Sequence, residues 1–252
     1  MNLGNPIASG NTANIYLSEK KIIKVFKDFL PESESINEAK KQNYAHSCGL
    51  PVPKIYQVTK INGKQAIIME YAAGETLGNL LAKEPAHFTY YLNMSIDEQQ
   101  KIHRIIPTPL ESMHDKLTNQ IKSVNLLNSK QKLLLLKKLD SFSFEPRLCH
   151  GDFHLYNLIK TKDRVVVIDW IDCSAGDKCA DVYRTYLLYT QVSTVLAEQY
   201  IKLYCKKSGM KMSDIFKWAP IVAAARLAEN VSSEDSGRLL AIIEKYDFPS
   251  FR

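Results

Sequence analysis

Apolar and polar positions divide the chain into a first part with strand patterns and a remainder with helical patterns. Short apolar runs separated by turn residues predict hairpins over 7–26 and 55–71, and the second is closed by Asn62-Gly63. Between the hairpins, apolar residues at helical spacing predict a helix over Ile36–Ser47. The first part is therefore expected to be a small β-rich unit that contains one helix.

After Leu77 the apolar positions mostly recur at helical spacing. The predicted helices are Ser95–Ile105, Leu110–Asn128, Lys130–Leu139, Asp181–Tyr189, Thr194–Ser208, Met212–Glu229 and Ser236–Tyr246. One strand pair, Tyr156–Lys160 with Val165–Asp169, interrupts this helical part.

These patterns predict an α+β fold with two lobes. A small β-rich N-terminal lobe would cover 1–72, and a larger, mainly helical lobe would cover 73–252. The small residues after the last strand of the first lobe predict a hinge at about 69–74.

Composition and charge exclude several classes of protein. With 45% hydrophobic and 24% charged residues among 252, the chain has an ordinary globular composition. Its net charge is +6, but the lysines are scattered and no Arg-rich stripe alternates with aromatic residues, so we expect no nucleic-acid partner. Five cysteines without a CxxC pair, a polar start and no long apolar run predict free thiols, a cytoplasmic location and no membrane partner. We expect a monomer or a weak dimer.

The interrupting strand pair carries two polar side chains that suit a metal ion. A turn near 161–164 places residue 157 roughly opposite 168, so that Asn157 and Asp169 arrive at the same end of the hairpin. An amide oxygen beside a carboxylate is a donor set that suits a hard cation such as Mg²⁺.

Asp152 lies a few residues before this hairpin, in a segment too polar for a core. It could orient a substrate hydroxyl and accept its proton close to the metal. One alternative is that Asp152 and Asp169 only brace turns, as many loop aspartates do. Another is a transition-metal site at His150, Asp152 and His154.

The spacing of these residues resembles a known family. His150-Gly151-Asp152, with Asn157 five positions after Asp152, and Ile168-Asp169-Trp170 resemble the catalytic and metal segments of the aminoglycoside phosphotransferase and choline kinase superfamily, which are relatives of protein kinases. The resemblance implies a protein-kinase-like fold, ATP and Mg²⁺ as cofactors, and transfer of the γ-phosphoryl group to a hydroxyl of a small-molecule acceptor. Asp152 would be the base, and Asn157 and Asp169 would hold Mg²⁺.

The same resemblance implies a nucleotide site in the first lobe, made of Ser9, Gly10, Asn11, Thr12, Lys24, Glu38, Met69, Glu70 and Ala72. Backbone N–H groups of the first four would approach the phosphates, Lys24 would contact the α- and β-phosphates, and Glu38 would hold that lysine. Backbone groups of Glu70 and Ala72 would bind adenine, with Met69 behind it. Taken singly, each residue has an ordinary alternative: a turn, an edge-strand lysine, a helix-surface acid or a buried methionine.

The resemblance further implies that His150 and Asp181 support the catalytic loop, with a helix beginning at Asp181. The acceptor could be aminoglycoside-, choline- or sugar-like. A polycationic aminoglycoside would need an acidic rim and a choline-type acceptor an aromatic cage, and neither stands out in the sequence. Acidic candidates are Asp172, Asp177, Glu229, Glu234, Asp235, Glu244 and Asp247, and aromatic candidates are Tyr156, Trp170, Tyr183, Tyr186, Tyr189 and Trp218. The alternative from another class is a regulatory pseudokinase that binds nucleotide without turnover.

Overall fold

A computed structural model describes residues 3–245 of the chain. Strands β1 to β10 are Ala8–Ser9, Ala13–Ser18, Lys21–Phe26, Ile55–Ile61, Lys64–Glu70, Gly74–Thr76, Arg147–Cys149, Leu158–Thr161, Val165–Val167 and Ser174–Gly176. Helices α1 to α10 are Glu34–Ser47, Leu77–Lys83, Phe88–His103, Met113–Ser123, Ser129–Asp140, Lys178–Val192, Thr194–Ser208, Met212–Phe216, Ala219–Ala228 and Ser236–Lys245. Short 3₁₀ turns lie at Pro85–His87 and Leu155–Asn157.

The first sheet is antiparallel, with strand order β1-β2-β3-β5-β4. Side chains of β3 alternate between its two faces. Ile23 and Val25 belong to a cluster on one face, and Phe26 packs on the other with Ala39 of α1. Lys24 therefore projects toward α1. Both hairpins predicted for this part of the chain are confirmed.

Helix α1 buries a face that is largely polar. Glu38, Ala39, Gln42 and Ala45 follow helical spacing and are all buried, whereas Ile36 is exposed. A buried amide needs a partner, and Gln42 Nε2 donates to the carbonyl of Pro53 at 2.8 Å. The polar content of this face indicates that α1 is held by specific contacts as well as by apolar burial.

The interrupting hairpin joins a second, three-stranded antiparallel sheet of order β6-β8-β9. Lys160 pairs with Val165, as the predicted turn requires. The added strand β6 begins at Gly74, where a Cβ would lie 2.2 Å from the Lys160 carbonyl oxygen. Only glycine allows the two backbones this approach.

Several helix predictions need correction. The helix predicted over Met212–Glu229 is two helices, α8 and α9, because Pro220 fits the first turn of a helix but not its interior. Helix α3 begins at Phe88, well before the predicted start. Helix α6 begins after Asp177, whose carboxylate accepts from the Cys179 N–H at 2.7 Å. Asp181 therefore lies inside α6, not at its start.

Helix α2 was not predicted, and α4 covers Met113–Ser123, which is shorter than the predicted Leu110–Asn128. The other helices lie close to their predicted positions, and Tyr246, the predicted end of the last helix, is outside the described residues. Contacts group the chain into two compact units. One runs to Glu98 and includes Leu155–Asp172, and the other comprises Gln99–His154 and continues from Cys173. The lobe boundary at 72–73 stays a prediction. Within residues 3–245, no helix combines the length and the apolar character that crossing a bilayer requires.

Candidate active site

Three charged residues from distant parts of the sequence meet in the first unit. Lys24 Nζ lies 2.7 Å from Glu38 Oε1 and 3.1 Å from Asp169 Oδ1. Lys24 and Glu38 are buried, whereas the Asp169 side chain is 37% exposed. One cation thus faces two carboxylates, and the carboxylate of Asp169 is the one accessible to a ligand.

These contacts fix the charge of the lysine. Burial disfavours a charged ammonium, but attraction to Asp169 and Glu38 outweighs that effect and raises the pKa of Lys24 above its ordinary value. Lys24 is therefore a permanent cation at neutral pH. Its side chain is already oriented by Glu38 before any ligand binds.

The hairpin brings Asn157 and Asp169 to one end. Leu158 pairs with Val167, and the Ile168 N–H donates to the Asn157 carbonyl at 3.0 Å, so residue 157 lies opposite 168. Asn157 is buried and closes a 3₁₀ turn directly before β8. This register confirms the predicted placement of the two residues along the hairpin.

The backbone at Asp169 adopts a conformation that most residues avoid. Its φ is +64°, in the left-handed region. Trp170, fully buried, donates from Nε1 to the Val167 carbonyl at 3.0 Å, and Lys41 Nζ donates to the Ile171 carbonyl at 2.8 Å. These contacts hold the segment around Asp169, and strained backbone of this kind is common at functional sites.

The donor set at this end of the hairpin fits a hard divalent cation. Asp169 supplies an accessible carboxylate and Asn157 an amide oxygen, and Mg²⁺ prefers oxygen ligands of both kinds. Mg²⁺ also commonly keeps water or phosphate oxygens in its other positions, so two protein ligands are enough.

The predicted phosphate turn joins β1 to β2. The Gly10 N–H donates to the Ala13 carbonyl at 2.9 Å, and the Ser9 hydroxyl donates to Asn14 Oδ1 at 2.7 Å. Thr12 accepts, through its carbonyl, from the Lys27 N–H at 2.8 Å. Ser9, Gly10 and Asn11 are exposed, so the turn is ordered by its own hydrogen bonds and its outer surface is accessible.

The predicted adenine segment follows β5. Met69 is buried in the cluster with Phe26 and Ala39. The Glu70 N–H donates to the Lys54 carbonyl at 2.8 Å, and its carboxylate accepts from the Lys54 N–H at 3.1 Å. Ala72 lies in the irregular stretch between β5 and β6. Of the two backbone groups of Glu70, its N–H is thus already used within the first unit.

In the second unit, Asp152 follows a tightly held glycine. Gly151 has φ of +84°, which favours glycine, and its N–H donates to Asp181 Oδ1 at 2.7 Å. Asp181 is fully buried and also accepts from His103 Nε2 at 2.9 Å and from Gln99 Nε2 at 3.1 Å. Asp181 therefore fixes the backbone immediately before Asp152, as expected for a support of the loop.

Basic side chains surround the carboxylate of Asp152. His154 Nε2 lies 3.4 Å from Asp152 Oδ2, and Arg184 lies 3.9 Å from Oδ1. Burial alone would raise the pKa of Asp152, but the hydrogen bond and charge of His154 and the charge of Arg184 outweigh it. The charge of His150 acts in the same direction, and together these groups hold the pKa of Asp152 well below its ordinary range. Asp152 is a carboxylate at neutral pH.

Within residues 3–245, the predicted transition-metal set His150, Asp152 and His154 does not form a cluster of close ligand atoms. Among the described residues, the one group of three whose ligand atoms lie within 4.8 Å of one another is His103, Cys149 and Asp181. That group is fully buried, burial raises the pKa of the Cys149 thiol, and His103 Nδ1 lies 2.8 Å from the Tyr204 hydroxyl. It is a hydrogen-bonded core cluster and differs from the predicted set, His150, Asp152 and His154.

The sequence alone did not identify Gln99, His103 and Arg184. Gln99 and His103 are four positions apart on α3, so both reach Asp181 from one face. Arg184 follows Asp181 by three positions on α6, which places both toward the loop that carries Asp152. An Asp-x-x-Arg pair at helical spacing soon after the loop is the signal that could have found it.

Comparisons with known proteins identify the family and the fold of the chain. The family model described as "Phosphotransferase enzyme family" matches residues 4–220. No curated protein matches the chain. Among solved structures, a thermostable mutant of aminoglycoside phosphotransferase APH(4)-Ia has a TM-score of 0.71 at 13% identity, over 95% of this chain and 93% of that one.

Two choline kinase relatives are also similar in fold. Choline kinase LicA from Streptococcus pneumoniae has a TM-score of 0.65 at 14% identity, over 96% of this chain and 93% of that one. A choline/ethanolamine kinase family protein from Mesorhizobium loti has a TM-score of 0.64 at 14% identity, over 95% and 88%. The family match covers most of the sequence. The chain belongs to the phosphotransferase enzyme family, which confirms the predicted family, the α+β protein-kinase-like fold and the predicted type of enzyme, a small-molecule kinase.

Proposed function

We propose that the chain transfers the γ-phosphoryl group of ATP to a hydroxyl of a small molecule. The observation that carries this proposal is the meeting of Lys24, Glu38 and Asp169, which combines a fixed cation with an accessible carboxylate. A phosphate-binding lysine and a metal-binding aspartate are required side by side in this chemistry. The ionised carboxylate of Asp152 supplies the remaining group.

At the γ-phosphorus, the reaction forms one bond and breaks one. The acceptor oxygen bonds to the γ-phosphorus, the bond from that phosphorus to the β,γ-bridging oxygen breaks, and ADP leaves with the electron pair. Asp152 orients the acceptor hydroxyl and takes its proton late in the transfer. Because the transition state is loose, positioning and charge stabilisation contribute more than proton removal.

Asn157 and Asp169 would hold Mg²⁺, since both offer oxygen donors at one end of the hairpin. When bound, Mg²⁺ neutralises charge that develops on the phosphate oxygens. Lys24 would contribute a second positive charge at the α- and β-phosphates. Glu38 keeps that lysine directed, because their contact is 2.7 Å and buried.

The nucleotide would lie against the first sheet. Backbone groups of the turn Ser9–Thr12 would approach the phosphates. The carbonyl of Glu70 and the backbone of Ala72 are assigned to adenine, since the Glu70 N–H already donates to Lys54. Met69 would stand behind the base from the buried cluster. Among the solved structures of similar fold, a thermostable mutant of APH(4)-Ia has been crystallised as a ternary complex with AMP-PNP and hygromycin B.

An acceptor screen tests this proposal and its alternative, a pseudokinase. ADP and phosphorylated product are measured with Mg²⁺-ATP against aminoglycosides, choline, ethanolamine and simple sugars. A true acceptor also raises the melting temperature, because a ligand that binds the folded state stabilises it. We expect phosphorylated product in equal amount to ADP for at least one hydroxyl compound. Nucleotide-induced stabilisation without product from any compound would favour the pseudokinase.

A further inference from the structure

The carboxylate proposed as the base is the first member of a chain of alternating charges in the second unit. Arg184 lies between Asp152 and Glu229, at 3.9 Å from the former and 2.8 Å from the latter. Glu229 also accepts from Arg226 NH1. The Arg184 side chain is only 8% exposed, so its charge acts in a poorly solvated environment.

The chain of charges continues beyond Glu229 and returns to α6, the helix that carries Arg184. Arg226 Nε donates to Glu234 Oε2 at 3.0 Å, and Arg238 donates to Glu234 Oε1 at 2.6 Å. Arg238 NH1 also donates to the Thr190 hydroxyl at 2.7 Å. Thr190 and Arg184 both belong to α6, so the network joins α6, the end of α9 and the start of α10.

The two contacts of Arg184 differ in kind. At 2.8 Å, the contact with Glu229 is a charge-assisted hydrogen bond. At 3.9 Å, the contact with Asp152 is longer than a hydrogen bond and acts through charge. Arg184 is thus anchored by Glu229 and attracts Asp152 without sharing a proton with it. A hydrogen bond to Glu229 together with a longer electrostatic contact to Asp152 would let Arg184 keep the base in place while the base accepts a proton from substrate.

We propose that Arg184 is a positioning residue for phosphoryl transfer, which holds the carboxylate of Asp152 toward the acceptor hydroxyl and is itself anchored by Glu229. The inference rests on the proposed function of Asp152. Arg184 does not contact the reacting atoms in this scheme. His154 and His150 also face Asp152.

A kinetic double-mutant cycle tests this inference, with Arg184→Gln alone, Asp152→Asn alone and the two combined. Gln keeps a polar amide donor but is shorter than Arg and lacks the charge that faces Asp152. We expect Arg184→Gln to lower kcat by about 10- to 100-fold, the usual effect of losing a supporting partner, with KM for ATP unchanged. In the Asp152→Asn background the same change has no further effect, because Arg184 acts only through Asp152.

Two further variants test whether the charge matters and whether lost stability alone could lower kcat. Arg184→Lys keeps the charge and restores part of kcat. Leu135→Ala, which truncates a fully buried side chain of α5, lowers the melting temperature without lowering kcat. Should Arg184→Gln fail to fold, Glu229→Gln gives the same cycle through the anchor: kcat falls with Asp152 present and is unaffected with Asn at position 152.

An equal loss of kcat in both backgrounds, an Arg184→Gln variant as active as wild type, or no recovery with Arg184→Lys would overturn the inference. These outcomes differ from a failure of the proposed function itself. That failure would appear as wild-type turnover in Asp152→Asn, whatever happens at Arg184.

Discussion

Lys24 Nζ lies 3.1 Å from the Oδ1 atom of Asp169, although 145 positions separate the two residues. The contact joins β3 to the end of β9 within the first unit. Glu38 completes it at 2.7 Å from the same ammonium. The proposed phosphate-binding and metal-binding groups therefore neutralise each other in the ligand-free protein, and each is held in place before nucleotide arrives.

Replacing Lys24 should lower both the unfolding free energy and turnover, and a second substitution should restore only the unfolding free energy. In Lys24→Met, Glu38 stays buried without its cation, which costs about 3–5 kcal/mol of unfolding free energy. The double variant Lys24→Met/Glu38→Leu replaces the pair by apolar side chains and should recover most of that loss, as measured by urea unfolding. Turnover should remain low in both, since neither offers a cation to the phosphates.

The control for this prediction is Lys64→Met, because Lys64 and Asp28 form an exposed ion pair at 2.6 Å. Its loss should change stability by about 0–1 kcal/mol. Recovery of turnover in the Lys24→Met/Glu38→Leu variant would show that Lys24 has only a structural role.

Gly78→Ala should reverse the usual effect of this substitution in a helix. Alanine is normally better than glycine there by up to about 1 kcal/mol. Here the new Cβ would lie 2.7 Å from the ring of Tyr156, the residue before Asn157. We expect the unfolding free energy to fall by about 1–3 kcal/mol, which thermal denaturation would measure.

Removing the ring provides the matched test. In a Tyr156→Ala background the clash disappears, and Gly78→Ala should become neutral or stabilising. A wild-type melting temperature for Gly78→Ala with Tyr156 intact would mean that the ring moves aside without cost.

Asp181 should make stability depend on pH in the acid range. Burial would raise the pKa of Asp181, but the hydrogen bond and charge of His103 and the hydrogen bond from Gly151 outweigh it and lower the pKa. A folded-state pKa below the unfolded value of about 3.9 stabilises the protein above that pH, and the contribution is lost as pH falls further. Asp181→Asn should lose about 3–5 kcal/mol at pH 7 and show a flatter decline below about pH 4.

The comparison variant for Asp181 is Asp140→Asn. Asp140 contacts His114 at 2.9 Å, but both side chains are exposed, so little change is expected at any pH. Parallel acid unfolding curves for wild type and Asp181→Asn would contradict the assignment of Asp181 as an ionised support of the loop.

Local sequence patterns predicted the hairpins, and the turn at 161–164 predicted the register that brings Asn157 to the same end as Asp169. Strands β7 and β10 escaped prediction, because each has three residues and 24 residues separate them in the sequence. A short segment has too few residues to show a period, and its pairing is decided by the tertiary fold.

The same limit applies to the residues around Asp152. Arg184 and Glu229 are ordinary charged residues in the sequence, and only folding brings them within 2.8 Å of each other. Asp181 was expected at the start of a helix because aspartate favours that position. Asp177 takes it instead, and Asp181 is directed to the Gly151 N–H one turn later.

The central claim is that Asp152 is the base of an ATP-dependent phosphoryl transfer. The most direct measurement is turnover of purified Asp152→Asn with Mg²⁺-ATP and the identified acceptor, beside nucleotide affinity determined by calorimetry. We expect kcat to fall by about 10²- to 10⁴-fold while nucleotide affinity stays within a factor of two or so of wild type. Turnover by Asp152→Asn equal to that of wild type would contradict the account.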